Sequence, residues 1–181
     1  MKHLEEKTIA SRTLFEGRVV RLQVDEVLLP NGNTSTREII KHPGAVCVMA
    51  VTEEGKLILV RQYRKAMDKV TLEIPAGKLN PGEDPAACAL RELEEETGLV
   101  AEGLDPVIAF YTAPGFTDER IHFFRARGLK RGTFRPDEDE FVERVELTLE
   151  ECREKIKSGE ICDAKTVMAV WLREMEEAGL R

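Results

Sequence analysis

No stretch of the 181-residue chain approaches the roughly 20 consecutive apolar residues that a membrane-spanning helix needs, and the opening MKHLEEKTIASR has no apolar core for a secretory signal. A cytoplasmic location with no membrane partner is therefore expected. Positive charge is not in excess either: 27 Lys and Arg stand against 34 Asp and Glu, a formal net charge of -7. That balance disfavours a general nucleic-acid surface while leaving room for a local basic pocket. The four cysteines, Cys47, Cys88, Cys152 and Cys162, never form a C-x-x-C pair, and each sits among apolar or helical-pattern neighbours. Buried or half-buried free thiols are expected rather than a disulfide or metal site. The chain also lacks internal repeats and low-complexity tracts.

What is present suits one folded domain with a small appendage. With 42% hydrophobic and 34% charged residues, the chain can bury a real core. Residues 13 to 30 alternate apolar and polar as two short strands do, and Asn31-Gly32 supplies a hairpin turn. The run GAVCVMAV is apolar on both faces and reads as a central strand. A helix is bounded by Asp84 as cap, Pro85 in the first turn and Gly98 as left-handed stop. Strands follow at 106–111, 120–126 and 141–147. Thr148 and Glu151 form a capping box for a second helix ending at Ser158-Gly159. In a last helix, Val167, Val170, Trp171 and Met175 share one face, expected to pack in the core. This order predicts an α/β domain with a mixed sheet between helices.

The first of these helices carries Glu92, Glu94, Glu95 and Glu96 in five positions. At about 100° per residue, Glu92, Glu95 and Glu96 share one face, while Glu94 points away to solvent. Such neighbours repel. A solvated acidic face is one reading, and a divalent cation that removes the repulsion is the other. The preceding PAGKLNPGED brings Gly77, Pro81 and Gly82 before the helix, so backbone can approach a ligand. Glu83, at the helix entrance, can brace that loop by accepting backbone N–H groups.

Gly77, five residues, Glu83, seven residues, Arg91-Glu92-Leu93, Glu95-Glu96 and Gly98-Leu99 together resemble the complete Nudix box. The resemblance implies an αβα sandwich and a hydrolase of nucleoside diphosphates linked to another group, using Mg²⁺ or Mn²⁺. The LEIPAG before the box, Pro114 about fifteen residues beyond it and the acidic DEDE at 137–140 resemble the ADP-ribose pyrophosphatase branch in particular.

That branch implies roles residue by residue. Glu92, Glu96, Glu140 and the Ala76 carbonyl would hold metal, with Glu95 adjoining. Glu138 would be the general base, helped in catalysis by Glu96 and Glu95; a slip of one residue against Asp137 or Asp139 exchanges the roles in the loop. Gly77, Glu83, Arg91 and Gly98 would be structural within the motif. Arg37, Arg64, Glu73 and Pro114 would meet the substrate, with Arg61 an alternative to Arg64. Guanidinium groups suit phosphates because they bind them bidentately. The segment 1–42 would be an N-terminal β appendage that pairs two protomers of a homodimer by exchange, followed by the Nudix domain at 43–181. The function so implied is metal-dependent hydrolysis of ADP-ribose to AMP and ribose 5-phosphate. Hydrolysis of another sugar nucleotide, such as GDP-mannose, and a non-catalytic ADP-ribose sensor are the alternatives.

Overall fold

The computed structural model describes residues 2–138 and 140–180, and the chain divides into two compact units. One comprises the residues up to Gly44 together with Phe110–Ile121. The other comprises Ala45–Ala109 and the chain from His122 onward.

In the first unit, β1 (Lys7–Glu16), β2 (Arg21–Leu28) and β3 (Thr34–Lys41) form an antiparallel meander in sequence order. The turn between β2 and β3 is built on Gly32, whose φ of 87° lies where a side chain is disfavoured, and on the Asn31 side chain, which accepts the Asn33 N–H at 3.0 Å. β1 is exposed along its whole length, with Ile9, Leu14 and Phe15 open to solvent. The segment that carries Pro114 is fastened to β3: Ile40 N–H donates to Phe116 O at 2.8 Å. Asp118 accepts from Lys41 Nζ and from His42 N, each at 2.9 Å.

The second unit contains β4 (Ala45–Met49), β5 (Leu57–Arg64), β6 (Lys69–Glu73), β7 (Ala76–Lys78) and β10 (Val142–Leu147). The strands β8 (Leu99–Tyr111) and β9 (Arg120–Arg131) have most of their length in it. One sheet runs β10-β5-β6 and the other β7-β4-β9-β8. Every residue of β4 is buried, which places the strand with no polar side chain at the centre of its sheet.

Helix α1 (Pro85–Thr97) packs on β4 and β7, while α2 (Leu149–Ser158) and α3 (Ala164–Glu177) pack on β10 and β6 respectively. Val46, Val48, Ile58, Leu93 and Phe124 form the core between α1 and the strands, each contributing about 1.5–3 kcal/mol by burial. The α/β class is the one expected, and so are the helix ends. Asp84 accepts the N–H groups of Ala86 and Ala87, Gly98 closes α1 at φ 68°, and Thr148 and Glu151 exchange both capping bonds.

Two expectations about packing are corrected. Val170 is buried as expected, but Trp171 and Met175 are 59% and 46% exposed, and Val170 shares the buried side of α3 with Lys165, Thr166 and Ala169. The helix is rolled toward its polar partners: Thr166 Oγ1 accepts the buried Ile74 N–H at 2.9 Å, and an unmade bond there would cost more than two half-exposed apolar side chains. Cys162 is exposed, whereas the other three thiols are buried. Among the described residues no helix is long and apolar enough to cross a membrane.

Candidate active site

The acidic face of α1 is turned inward. Glu92 and Glu96 are buried, Glu96 to 2% exposure, and the Glu96 carboxylate accepts the Ala76 N–H at 2.9 Å. Burial pushes Glu96 up to about 8. The Ala76 bond and the Arg64 charge oppose that rise, and the neighbouring Glu92 and Glu140 charges add to it. Glu92 is also raised, first by burial and then by Glu95 and Glu140, against the pull of Arg91.

Gly77 lies directly against this face. A Cβ built there would fall 1.9–2.4 Å from the Glu92 carboxylate atoms, so only glycine lets that carboxylate lie across the strand.

Arg91 organises the rest of the box. Its Nε meets Glu83 Oε1 at 3.0 Å, and Nη1 meets Glu92 and Glu95, each at 2.8 Å. Glu83 also accepts the Asn80 N–H at 2.8 Å, which ties the loop to the helix entrance. The Arg91 and Asn80 bonds hold the Glu83 carboxyl down at about 2.

The acidic loop after β9 is fastened to the C-terminal end of α1 by three bonds. Gly132 N donates to Gly98 O at 2.8 Å, Thr133 N to Glu94 Oε1 at 3.0 Å and Arg135 N to Glu95 O at 3.1 Å. Glu94, expected to face solvent, is therefore a loop anchor, and a Cβ on Gly132 would meet its Oε1 at 2.9 Å. Helical phase alone could not reveal this, because the partner lies 39 residues away. The loop brings Glu140 into the field of Glu92 and Glu96. Glu138 is exposed in a turn, and Asp139 lies outside the described residues.

Arg64 approaches from the sheet. Along β5 the side chains alternate, with Arg61 and Tyr63 outward and Gln62 and Arg64 inward. Arg61 pairs with Glu143, on the face away from Arg64. Arg64 grips Glu73 with Nε and Nη2, each at 2.7 Å, and its charge also reaches Glu96. Glu73 is buried, and besides Arg64 it accepts from Thr71 Oγ1 at 2.7 Å and Lys165 Nζ at 2.5 Å. Burial alone would raise Glu73, but Arg64 and Lys165 outweigh it and hold the carboxyl at about 2.

Arg37 and Pro114 belong to the other unit. There Arg37 pairs with Glu6 through Nε at 2.9 Å and Nη2 at 2.5 Å. An open cavity of about 740 Å³ at the C-terminal end of α1 is lined by Gly98, Arg131, Phe134 and Arg144 among others, and by none of the carboxylates expected to do chemistry.

Residues 41–170 match the NUDIX domain family. The chain belongs to the Nudix family. Residues 6–40 match the nucleoside diphosphate sugar hydrolase N-terminal domain. An ADP-ribose pyrophosphatase of Bacillus subtilis (strain 168) is 54% identical over 183 residues, covering 98% of this chain and 97% of that one. A methanol dehydrogenase activator of Bacillus methanolicus is 55% identical over 179 residues, again with 98% and 97% covered. A solved ADP compounds hydrolase shares the fold, with a TM-score of 0.84 over 97% of this chain and 96% of that one at 22% identity.

The donor set of this Nudix site suits a hard divalent cation. Carboxylate oxygens and the Ala76 backbone are its polar groups, and carboxylates that raise one another's pKa are those a cation would hold ionised. Among the described residues no three such side chains are already gathered into a cage.

Proposed function

We propose that the chain hydrolyses the diphosphate of ADP-ribose to AMP and ribose 5-phosphate with the help of Mg²⁺ or Mn²⁺. The observation that carries this reading is that buried Glu96 feels Glu92, Glu140 and Arg64 at once, so metal-type carboxylates and a phosphate-type guanidinium share one site. Similarity to an ADP-ribose pyrophosphatase over nearly the full chain supports the substrate.

Bound at this site, a divalent cation would supply Lewis-acid chemistry that offsets the charge developing in the displacement. Glu92, Glu96, Glu140 and the Ala76 carbonyl would hold it, with Glu95 beside them. Arg64 would present the guanidinium edge that Glu73 does not occupy to the diphosphate. Glu138, exposed on its turn, would take a proton from the attacking water. A new P–O bond forms, the bridging P–O bond breaks, and the two monophosphates leave. Glu73, engaged by four donor contacts, would hold Arg64 in place beside the substrate.

The exposed apolar side chains of β1, Ile9, Leu14 and Phe15, support a homodimer built on the N-terminal sheet. Arg37 would then exchange Glu6 for substrate phosphate across the interface, with Pro114 beside it.

Incubation with Mg²⁺ and a panel of nucleoside diphosphate sugars, including ADP-ribose and GDP-mannose, followed by assay of released monophosphate, tests the reading. ADP-ribose should be cleaved fastest. Binding of ADP-ribose without cleavage of any member would make the chain a sensor and end the enzyme proposal.

The 55% identity to a methanol dehydrogenase activator favours a second reading, in which the same hydrolytic site activates a dehydrogenase. Methanol oxidation by such a dehydrogenase should then rise when the chain is added and stay unchanged with Glu96→Gln.

A further inference from the structure

Lys165 was not singled out by sequence, since one lysine in the first turn of a helix is ordinarily a solvated charge. Here it is only 9% exposed. Its Nζ donates to Glu73 Oε2 at 2.5 Å and to Asp163 Oδ1 at 2.9 Å. Asp163 is itself fixed as the cap of α3, accepting the Thr166 N–H at 3.2 Å. A continuous chain of contacts therefore runs from the capped end of α3 through Lys165 and Glu73 to Arg64. The Lys165 and Glu73 side chains are only 10% and 4% exposed, whereas Arg64, at the outer end, is 38% exposed.

Charge decides what this chain does. Two anions, Asp163 and Glu73, face two cations, Lys165 and Arg64. Because Glu73 also accepts from Lys165, its carboxylate is held from a second side, and it fixes Arg64 in turn. The geometry is equally selective. Glu73 takes Nε–H and one Nη2–H of the five guanidinium N–H groups. Among the described residues the opposite edge, Nη1 with the second Nη2–H, has no acceptor, and this is the edge that binds phosphate bidentately.

We infer that Lys165 is a positioning residue for phosphate recognition, whose buried ammonium shares the charge of Glu73 and so holds the Arg64 guanidinium in place with its outer edge available to a diphosphate. This deepens the proposed function and rests on the reading that Arg64 meets the substrate phosphates.

Steady-state kinetics on ADP-ribose with Mg²⁺ test it, using Lys165→Gln and Lys165→Met, Arg64→Ala and the double variants, with thermal melting of each. Lys165→Gln or Lys165→Met should raise KM about tenfold and lower kcat less than about threefold, as lost ground-state binding does. On the Arg64→Ala background the same change should raise KM less than about twofold, because the two residues act through one contact. A purely stabilising lysine would lower Tm and leave KM alone, or would multiply fully with Arg64→Ala; either outcome overturns the inference. Loss of folding in both Lys165 variants would do so too, assigning the residue to stability. If Arg64→Ala leaves KM unchanged, the phosphate reading of Arg64 itself fails and this inference falls with it. If Arg64→Ala raises KM and the Lys165 variants do not, only the present inference is lost.

Discussion

Two buried glutamates, one at the end of β6 and one on α1, meet opposite fates. Glu73 is surrounded by the protein's own cations, Arg64 and Lys165, and its carboxyl is held at about 2 despite burial. Glu96 is equally buried, and there burial, with the Glu92 and Glu140 charges adding to it, pushes the carboxyl up to about 8. A carboxylate whose charge is balanced internally becomes architecture. One that is left among like charges is the kind of group that a cation from outside would hold ionised. The comparison teaches that burial alone does not mark a functional carboxylate; the sign of the surrounding charge does.

The largest effect should come from neutralising the second group. Glu92→Gln and Glu96→Gln should each cut turnover by at least about a hundredfold, because each removes a charged metal ligand. Folding should survive, since relief of repulsion offsets the lost contacts. Near-normal turnover of both at saturating substrate and metal, with melting as the control, would refute the metal assignment.

The loop glutamates come next. Glu138→Gln should lower kcat sharply, flatten the acid limb of the pH profile and leave the Mg²⁺ concentration for half-activation nearly unchanged. Glu140→Gln, whose charge reaches Glu92 and Glu96, should instead raise that concentration and be partly rescued by excess metal. The reverse pattern would exchange their roles.

Gly77→Ala sharpens the comparison without altering charge. The new Cβ would occupy the place of the Glu92 carboxylate, which is the far end of a flexible side chain and can move aside. Turnover should fall about tenfold or more while Tm changes little. A large drop in Tm with turnover preserved would show that the glycine serves the backbone and not the carboxylate.

The two glutamates should also give opposite pH signatures. Glu96 is raised from an ordinary value of 4.5 to about 8, so its contribution to stability in EDTA-stripped protein is present below pH 4.5 and lost as pH rises through 8. Added Mg²⁺ replaces what is lost, and the increase in Tm it produces should be larger at pH 8.5 than at pH 6. A shift independent of pH would remove Glu96 from the site.

Glu73 is depressed from 4.5 to about 2, so its contribution is present above pH 4.5 and lost as pH falls through 2. On the order of 3 kcal/mol is involved. Glu73→Gln should make acid unfolding shallower between those values; an unchanged acid limb would separate Glu73 from the ion-pair chain.

The Nudix box was legible because its meaning is local. Asp84, Pro85 and Gly98 define α1 through dihedral angles and orphan N–H groups within one turn, and the phase of Glu92 and Glu96 follows from helical geometry. The Asn31-Gly32 turn and the all-apolar β4 are local in the same way. Glu94, Trp171 and Lys165 were not legible, because each owes its place to a partner far along the chain. Thr133 is 39 residues from Glu94, and Glu73 is 92 residues from Lys165. In α3 the apolar stripe is a local periodicity, but the bonds to Ile74 and Glu73 bury Thr166 and Lys165 and leave only part of that stripe, Val170, in the core.

The sequence by itself determined the element order, the caps, the spacing of the box and the family it implies, since these depend on residues within a few positions of one another. Only the tertiary structure decided which buried carboxylate is neutralised from within and which is left among like charges. Charge acts through space, and sequence carries no record of which cation folds back beside which anion until the sheet and α3 are packed together.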